Sequence, residues 1–136
     1  MRKKIAILGS TGSIGKSLLQ IIEKDKKKFE IVLLTANKDY KTLIRQANKF
    51  NVKNLIITNQ LNFNILKKKA KKKINIFNSF NSFKKIFNKK IDYTMSSIVG
   101  IDGLYPTFEI IKHTKNIAIA NKESIVCGWN IIKKEL

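Results

Sequence analysis

The stretch Lys4-Ile-Ala-Ile-Leu-Gly-Ser-Thr-Gly-Ser-Ile-Gly15 constrains this chain more than any other. Ile5, Ile7 and Leu8 form a short apolar run without polar alternation, the pattern of a strand buried on both faces. Gly9, Gly12 and Gly15 follow, and then Ile14, Leu18, Ile21 and Ile22 recur at i, i+4, i+7 and i+8, which predicts one face of an amphipathic helix. Strand, glycine turn and helix in succession give a glycine fingerprint its meaning. Gly9 permits a tight turn, Gly12 lets a diphosphate approach the backbone, and Gly15 lets helix and strand pack closely. The free N–H groups of the first helical turn then point at the anion. The spacing is G-x-x-G-x-x-G rather than the commoner G-x-G-x-x-G, and the alternative reading is a glycine-rich turn with no ligand.

Gly15-Lys16-Ser17 imitates the end of a G-x-x-x-x-G-K-[ST] phosphate loop. That motif needs glycine at position 10, where serine stands, and no later apolar strand closes on an aspartate suited to Mg²⁺. Lys16 and Ser17 therefore read as ordinary first-turn residues, and an NTPase is not expected.

At 136 residues the chain has room for one domain with a real core. No stretch approaches a membrane span, and no charged-then-apolar leader is visible, so a soluble, cytoplasmic protein without membrane partners is expected. Cys127 and His113 are each the only residue of their kind, which excludes a disulfide framework and thiolate or imidazole metal clusters within one chain. The net charge of +19 would ordinarily suggest nucleic acid. Its distribution argues otherwise: Arg2 and Arg45 are the only arginines, and the lysines are dispersed among abundant Asn, Ile and Phe. That joint enrichment is what an AT-biased coding sequence produces. The run Lys67–Lys73 reads as a solvated helix end, and any contact with nucleic acid should be non-specific.

Apolar runs and helical faces alternate along the rest of the chain. Strands are predicted at 29–35, 55–58, 74–77, 92–95 and 116–120, the last as another buried strand. Helices are predicted at 40–50 with Leu43, Ile44, Ala47 and Phe50 inward, and up to Lys73 with Leu61, Ile65 and Leu66. Phe80, Phe83 and Phe87 repeat at helical spacing and read as core anchors rather than a stacking platform. Pro106 suits the first turn of a helix carrying Leu104, Phe108 and Ile111. A final helix holds Ile125, Val126, Trp129 and Ile132. The fold class is α/β: a Rossmann-like, doubly wound, mostly parallel sheet with helices on both faces. In such a sheet the ligand lies across the carboxyl ends of the strands. Gly9–Gly15, Ala36–Asp39 and the loop Asn121–Ser124 should share that rim, with Ser96–Gly103 bordering the crevice.

The end of the second strand bears on cofactor choice. Asn37 and Lys38 can donate to the 2′-phosphate of NADP, whereas Asp39 could accept from the 2′-hydroxyl of NAD. Asp39 lies further past the apolar run and can point into solvent, so these residues favour NADP.

Three segments together resemble a known family: Gly9–Gly15, Ile98-Val-Gly-Ile-Asp-Gly-Leu-Tyr-Pro-Thr107 and Ala118-Ile-Ala-Asn-Lys-Glu-Ser-Ile-Val126. In order and spacing they are similar to the amino-terminal NADPH-binding domain of 1-deoxy-D-xylulose 5-phosphate reductoisomerases, with Ala120-Asn-Lys-Glu-Ser124 the most specific part. The resemblance covers residues 1–136 and implies NADPH-dependent isomerisation and reduction of a sugar phosphate to 2-C-methyl-D-erythritol 4-phosphate, in the non-mevalonate isoprenoid pathway. It implies that Thr11, Gly12, Ser13 and Ile14 hold the diphosphate region of NADPH and that Asn37, Lys38 and Asp39 meet the adenosine 2′-phosphate. It also implies that Asn121 and Glu123 touch the cofactor and that Lys122 touches the substrate. A cation there suits an anionic sugar phosphate, although Asn121 or Ser124 as a helix cap explains the same tetrad without a ligand.

Two departures from the family pattern stand out. Asp39 replaces what is more often asparagine. The family's Mg²⁺ or Mn²⁺ ligands, an Asp-Ser-Glu segment and a later glutamate, lie beyond Leu136, as do the substrate lid and the carboxy-terminal domain. No catalytic or metal residue is therefore assigned, since Asp102 could line the crevice but a lone carboxylate holds a divalent cation poorly. The expectation is a fragment of an enzyme that is a homodimer in the family, inactive by itself. The competing expectations are a stand-alone nucleotide-binding module without catalysis and a basic nucleic-acid binder.

Overall fold

The computed structural model describes residues 1–136. Six strands form one sheet: β1 (Lys3–Leu8), β2 (Phe29–Ala36), β3 (Asn54–Ile57), β4 (Asn75–Phe77), β5 (Ile91–Ser96) and β6 (Thr114–Ile119). Their spatial order is β4-β3-β2-β1-β5-β6, and every pairing is parallel. The chain therefore builds outward from β1 in one direction, then returns to the other side of β1 with β5. That reversal leaves a crevice at the carboxyl ends of β1 and β5, where an open α/β sheet takes its ligand.

The α-helices are α1 (Ser13–Glu23), α2 (Tyr40–Phe50), α3 (Gln60–Lys69), α4 (Phe83–Ile86), α5 (Leu104–Ile110) and α6 (Lys122–Ile132). None is long and apolar enough to cross a membrane. Strand alternation explains the two layers. Ile5 and Ile7 of β1 face a core shared with Leu19, Ile22, Leu43, Ala47 and Leu66 from α1, α2 and α3. Ala6 and Leu8 face the opposite core, with Phe83, Phe87 and Ile110 from the α4 and α5 side. Both faces are apolar because both are covered. Burial of each such large side chain contributes about 1.5–3 kcal/mol.

The all-parallel sheet and the helices on both faces agree with the sequence reading, and α2 has the expected bounds. Phe83 and Phe87 are core residues, with ring centroids 6.1 Å apart. Several faces differ. In α1 the inward stripe is Gly15, Leu19 and Ile22, while Ile14 and Ile21 are exposed. The reason is Gly15: a Cβ there would lie 2.6 Å from Gly9 O and from Ser10 Cα, so this bare backbone sets the helix's rotation. Leu61 is exposed, leaving Leu66 as the buried residue of α3.

The expected buried strand at 116–120 is instead β6, an edge strand with no buried residue after Thr114. In α6 only Ser124, Gly128 and Ile132 are buried, while Ile125, Val126 and Trp129 are exposed. Gly128 sets that rotation, since a side chain there would overlap Leu104 of α5. Residues 122–124 are also not a loop, because α6 begins at Lys122 with Asn121 as its N-cap. The helix of Pro106 is short, ending at Ile110, with Ile111 buried in the 3₁₀ turn that follows.

Candidate functional site

Gly9 leaves β1 with φ at +79°, a conformation glycine adopts without strain. A Cβ at this point would also sit 3.0 Å from Ser97 O at the exit of β5. The turn is fixed from three sides. Gly9 N donates to Thr35 Oγ1 at 2.9 Å, and Ser10 N donates to Thr35 O at 3.0 Å. Ser10 Oγ donates to Gln46 Oε1 at 2.8 Å, while Gln46 Nε2 donates back to Ser10 O at 2.9 Å. Ser97 N and Oγ both donate to Leu8 O, at 3.0 and 2.7 Å. Ends of β1, β2 and β5 are thereby locked around one loop.

The loop delivers the chain to α1 through Gly12, the N-cap, whose φ and ψ of −79° and 175° are extended. No side chain caps this helix, and its first turn carries no acidic residue. By contrast, α2, α3 and α6 are each capped by a side chain: Asp39 on Thr42 N, Asn59 on Asn62 N and Asn121 on Ser124 N. A Cβ at Gly12 would touch only Gly9 O, at 3.5 Å, so the backbone at this point is approachable. The open, uncapped amino end of this 11-residue helix presents the positive end of its dipole there. Lys16 and Ser17 belong to α1, where Ser17 Oγ donates to Ser13 O as an ordinary helical side chain does.

A cleft of about 510 Å³ opens at this end of the sheet. Thr11, Gly12 and Asn37 of the expected residues line it, together with Gly9, Ile98 and Asp102. Ser13 and Ile14 form the first turn of α1, Ile14 exposed. Asn37 is held to β3 by its Nδ2, which donates to Thr58 Oγ1 at 2.7 Å. Lys38 and Asp39 follow, both exposed, in the turn leading to α2. Asp39 Oδ1 accepts from Thr42 N at 3.0 Å. Partial burial raises the Asp39 pKa, but the Thr42 hydrogen bonds and the charges of Lys16 and Arg45 outweigh it, leaving the carboxyl below its ordinary value.

Asn121, Lys122 and Glu123 do not line the cleft. They form the amino end of α6, joined to the cleft by Asn121, whose Nδ2 donates to Ile98 O and Gly100 O. Lys122 is exposed and Glu123 half-buried.

Sequence reasoning placed the Ser96–Gly103 loop at the crevice, where Ser97 lines the cleft, but missed Thr35, Thr58 and the cleft-facing role of Phe80. Thr35 is the clearest loss, because a threonine inside an apolar strand gives no hint that its hydroxyl receives Gly9 N. Phe80 was separable from Phe83 only by position: it is half-buried at the cleft and packs on Phe83 with ring centroids 5.8 Å apart.

Residues 5–128 match the family model described as 1-deoxy-D-xylulose 5-phosphate reductoisomerase. A protein of that name from Pelagibacter ubique is 62% identical over 98% of this chain, which spans 35% of the relative. Another, from Thermodesulfovibrio yellowstonii, is 40% identical over 98% of this chain and again 35% of the relative. The chain thus spans about a third of the length of the relatives it matches. Among solved structures, the reductoisomerase from Zymomonas mobilis in complex with NADPH superposes with a TM-score of 0.89 and 31% identity, over 99% of this chain and 36% of that one. A reductoisomerase in complex with NADPH, fosmidomycin and magnesium superposes with a TM-score of 0.88 and 29% identity, over 98% of this chain and 33% of that one. On sequence and fold together, the chain belongs to the 1-deoxy-D-xylulose 5-phosphate reductoisomerase family.

Proposed function

We propose that this chain is the NADPH-binding portion of a 1-deoxy-D-xylulose 5-phosphate reductoisomerase. The observation that carries the proposal is the uncapped amino end of α1 at Gly12, facing a cleft at the sheet's reversal point. The diphosphate belongs at Thr11, Gly12, Ser13 and Ile14, where main-chain N–H groups and the helix dipole favour an anion. The adenosine 2′-phosphate belongs at Asn37 and Lys38, with Asp39 opposing it. Asn121 and Glu123, at the amino end of α6, belong with the cofactor, and Lys122 with the sugar phosphate. NADPH when bound supplies a hydride for reduction of a carbonyl. The residues of this chain bind and orient it.

No three His, Cys, Asp or Glu side chains come together here as a possible metal ligand set. A hard divalent cation needs several oxygen ligands, chiefly carboxylates and carbonyls, and in this reading they come from outside these 136 residues. Purified as this polypeptide, the protein is expected to bind NADPH without oxidising it when 1-deoxy-D-xylulose 5-phosphate and Mn²⁺ are supplied. Steady NADPH oxidation at 340 nm would show that these residues suffice for turnover. Contact with polyanions stays non-specific in this reading. Arg2, one of the two arginines, is engaged with Phe29 O and Lys26 O, while exposed Arg45 donates from Nη2 to Thr42 Oγ1.

The site itself is tested at Gly12. Its extended backbone accepts any residue, and aspartate there would cap α1 with its own carboxylate. Gly12→Asp should fold with stability changed by only a few tenths of a kcal/mol, yet lose NADPH binding in a fluorescence titration. Undiminished binding would remove the diphosphate from α1.

A further inference from the structure

The lysines, dispersed along the sequence, are gathered in space. Every strand is parallel, so the segments running from a helix into the next strand share one edge of the sheet, and those running from a strand into a helix share the other. The first set is 24–28, 51–53, 70–74, 87–90 and 111–113. It holds eleven of the 28 lysines and arginines against one acidic residue, Asp25. The second set, which includes the cleft, holds Lys38 against Asp39 and Asp102. All eleven lysines of the first set are exposed. Lys28 meets Asp25 at 3.0 Å and Lys112 meets Glu109 at 3.7 Å, while the other nine make no ion pair. The charge is densest where β3 and β4 start side by side. Asn54 pairs with Asn75, and Asn75 N donates to Lys53 O at 2.7 Å, so 51–53 lies against 70–74. Lys53, Lys71 and Lys73 line a hollow of about 140 Å³ there with Asn48 and Asn51, and no carboxylate lines it.

We propose that this edge of the sheet, opposite the cleft, is a docking face for the phosphate backbone of duplex nucleic acid, with the hollow between Lys53, Lys71 and Lys73 as its principal phosphate seat. Six strands about 4.8 Å apart make a basic row about 24 Å long, over which a duplex presents about 14 phosphates. What the face lacks selects the ligand. Val52, Ile74, Phe87 and Ile111, the large apolar residues of these segments, are buried, so none can enter the acyl region of a bilayer. His113 packs on Phe87 with ring centroids 5.7 Å apart, so neither ring is free to stack on an unpaired base. Lysine ammonium groups meet phosphates as point charges, and phosphate contacts carry no sequence information. The docking face stands independently of the nucleotide reading of the cleft.

Fluorescence anisotropy with a labelled DNA duplex of about 20 base pairs, between about 50 and 200 mM salt, tests the proposal. The parent chain should bind without sequence preference, log affinity falling linearly with log salt. The triple variant Lys53→Gln, Lys71→Gln, Lys73→Gln should show a slope smaller by about 2–3 and an affinity at least about tenfold weaker at 100 mM salt. Lys16→Gln, Lys41→Gln, Arg45→Gln together remove the same charge from the cleft half of α1 and α2 and should leave the slope unchanged. All six side chains are exposed, so both variants should keep the urea midpoint of the parent. Equal losses in the two variants would mean that net charge alone governs binding and would overturn the face. A parent chain that does not bind at the lowest salt would overturn it too. Tighter binding of the single strand, or of phosphatidylcholine vesicles carrying about a quarter phosphatidylserine, would overturn the duplex as partner.

Discussion

Asp39 combines two roles that pull in different directions. Its carboxylate caps α2 by accepting from Thr42 N, which stabilises the helix, and it stands in the segment assigned to an adenosine 2′-phosphate. Asparagine caps a helix about as well as aspartate and carries no charge. Asp39→Asn should therefore leave the denaturation midpoint unchanged and tighten NADPH binding about three- to tenfold, the effect of removing one nearby like charge. A tightening for NADH of the same size would show that the carboxylate does not oppose the 2′-phosphate. The sequence placed this segment just after the second strand, and the structure has it between β2 and α2. The cap was not drawn from the sequence; the structure shows the Asp39 carboxylate reaching forward to Thr42 N.

At the scale of elements, helices were read from apolar periodicity and their rotations from glycines the periodicity cannot weigh. Ile14 and Ile21 fit a helical stripe as well as Leu19 and Ile22 do, but only one rotation brings Gly15 against Gly9 O. Gly128 against Leu104 has the same consequence for α6. The phenylalanine run shows the complementary case, where spacing and packing agree and the structure adds a partner. His113 packs against Phe83 and Phe87, at centroid distances of 6.2 and 5.7 Å. Burial pushes its imidazole below the ordinary value; the Glu109 charge opposes that shift, and Lys112, Lys84 and Lys90 reinforce it.

The unfolded chain then takes up its proton first as pH falls through about 6.5. Stability should decline from that point until the folded imidazole also protonates, and be independent of this group above and below that window. In His113→Phe, urea midpoints measured between pH 7.5 and 5.5 should lose this decline. A slope equal to that of the parent would assign the pH dependence to other groups.

For the whole molecule, the strand–helix alternation was legible because each buried strand is a continuous apolar run, and a parallel sheet needs long crossovers. The crevice followed from the glycine turn lying at the end of the first strand. The edge position of β6 was not legible, since Ile117, Ala118 and Ile119 look as apolar as any central strand and only the sheet order leaves them half-covered. Nor did the sequence show that Thr35, Gln46 and Ser97 brace the glycine turn from three separate elements. These contacts give the cleft a fixed shape in the absence of ligand, and the central claim is that this shape receives NADPH.

Calorimetric titration of the 136-residue chain with NADPH and with NADH, at one ionic strength, tests that claim most directly. The expected result is a single site that binds NADPH more tightly, with the preference lost in Lys38→Ala. No binding of either nucleotide, equal affinity, or a preference for NADH would contradict it.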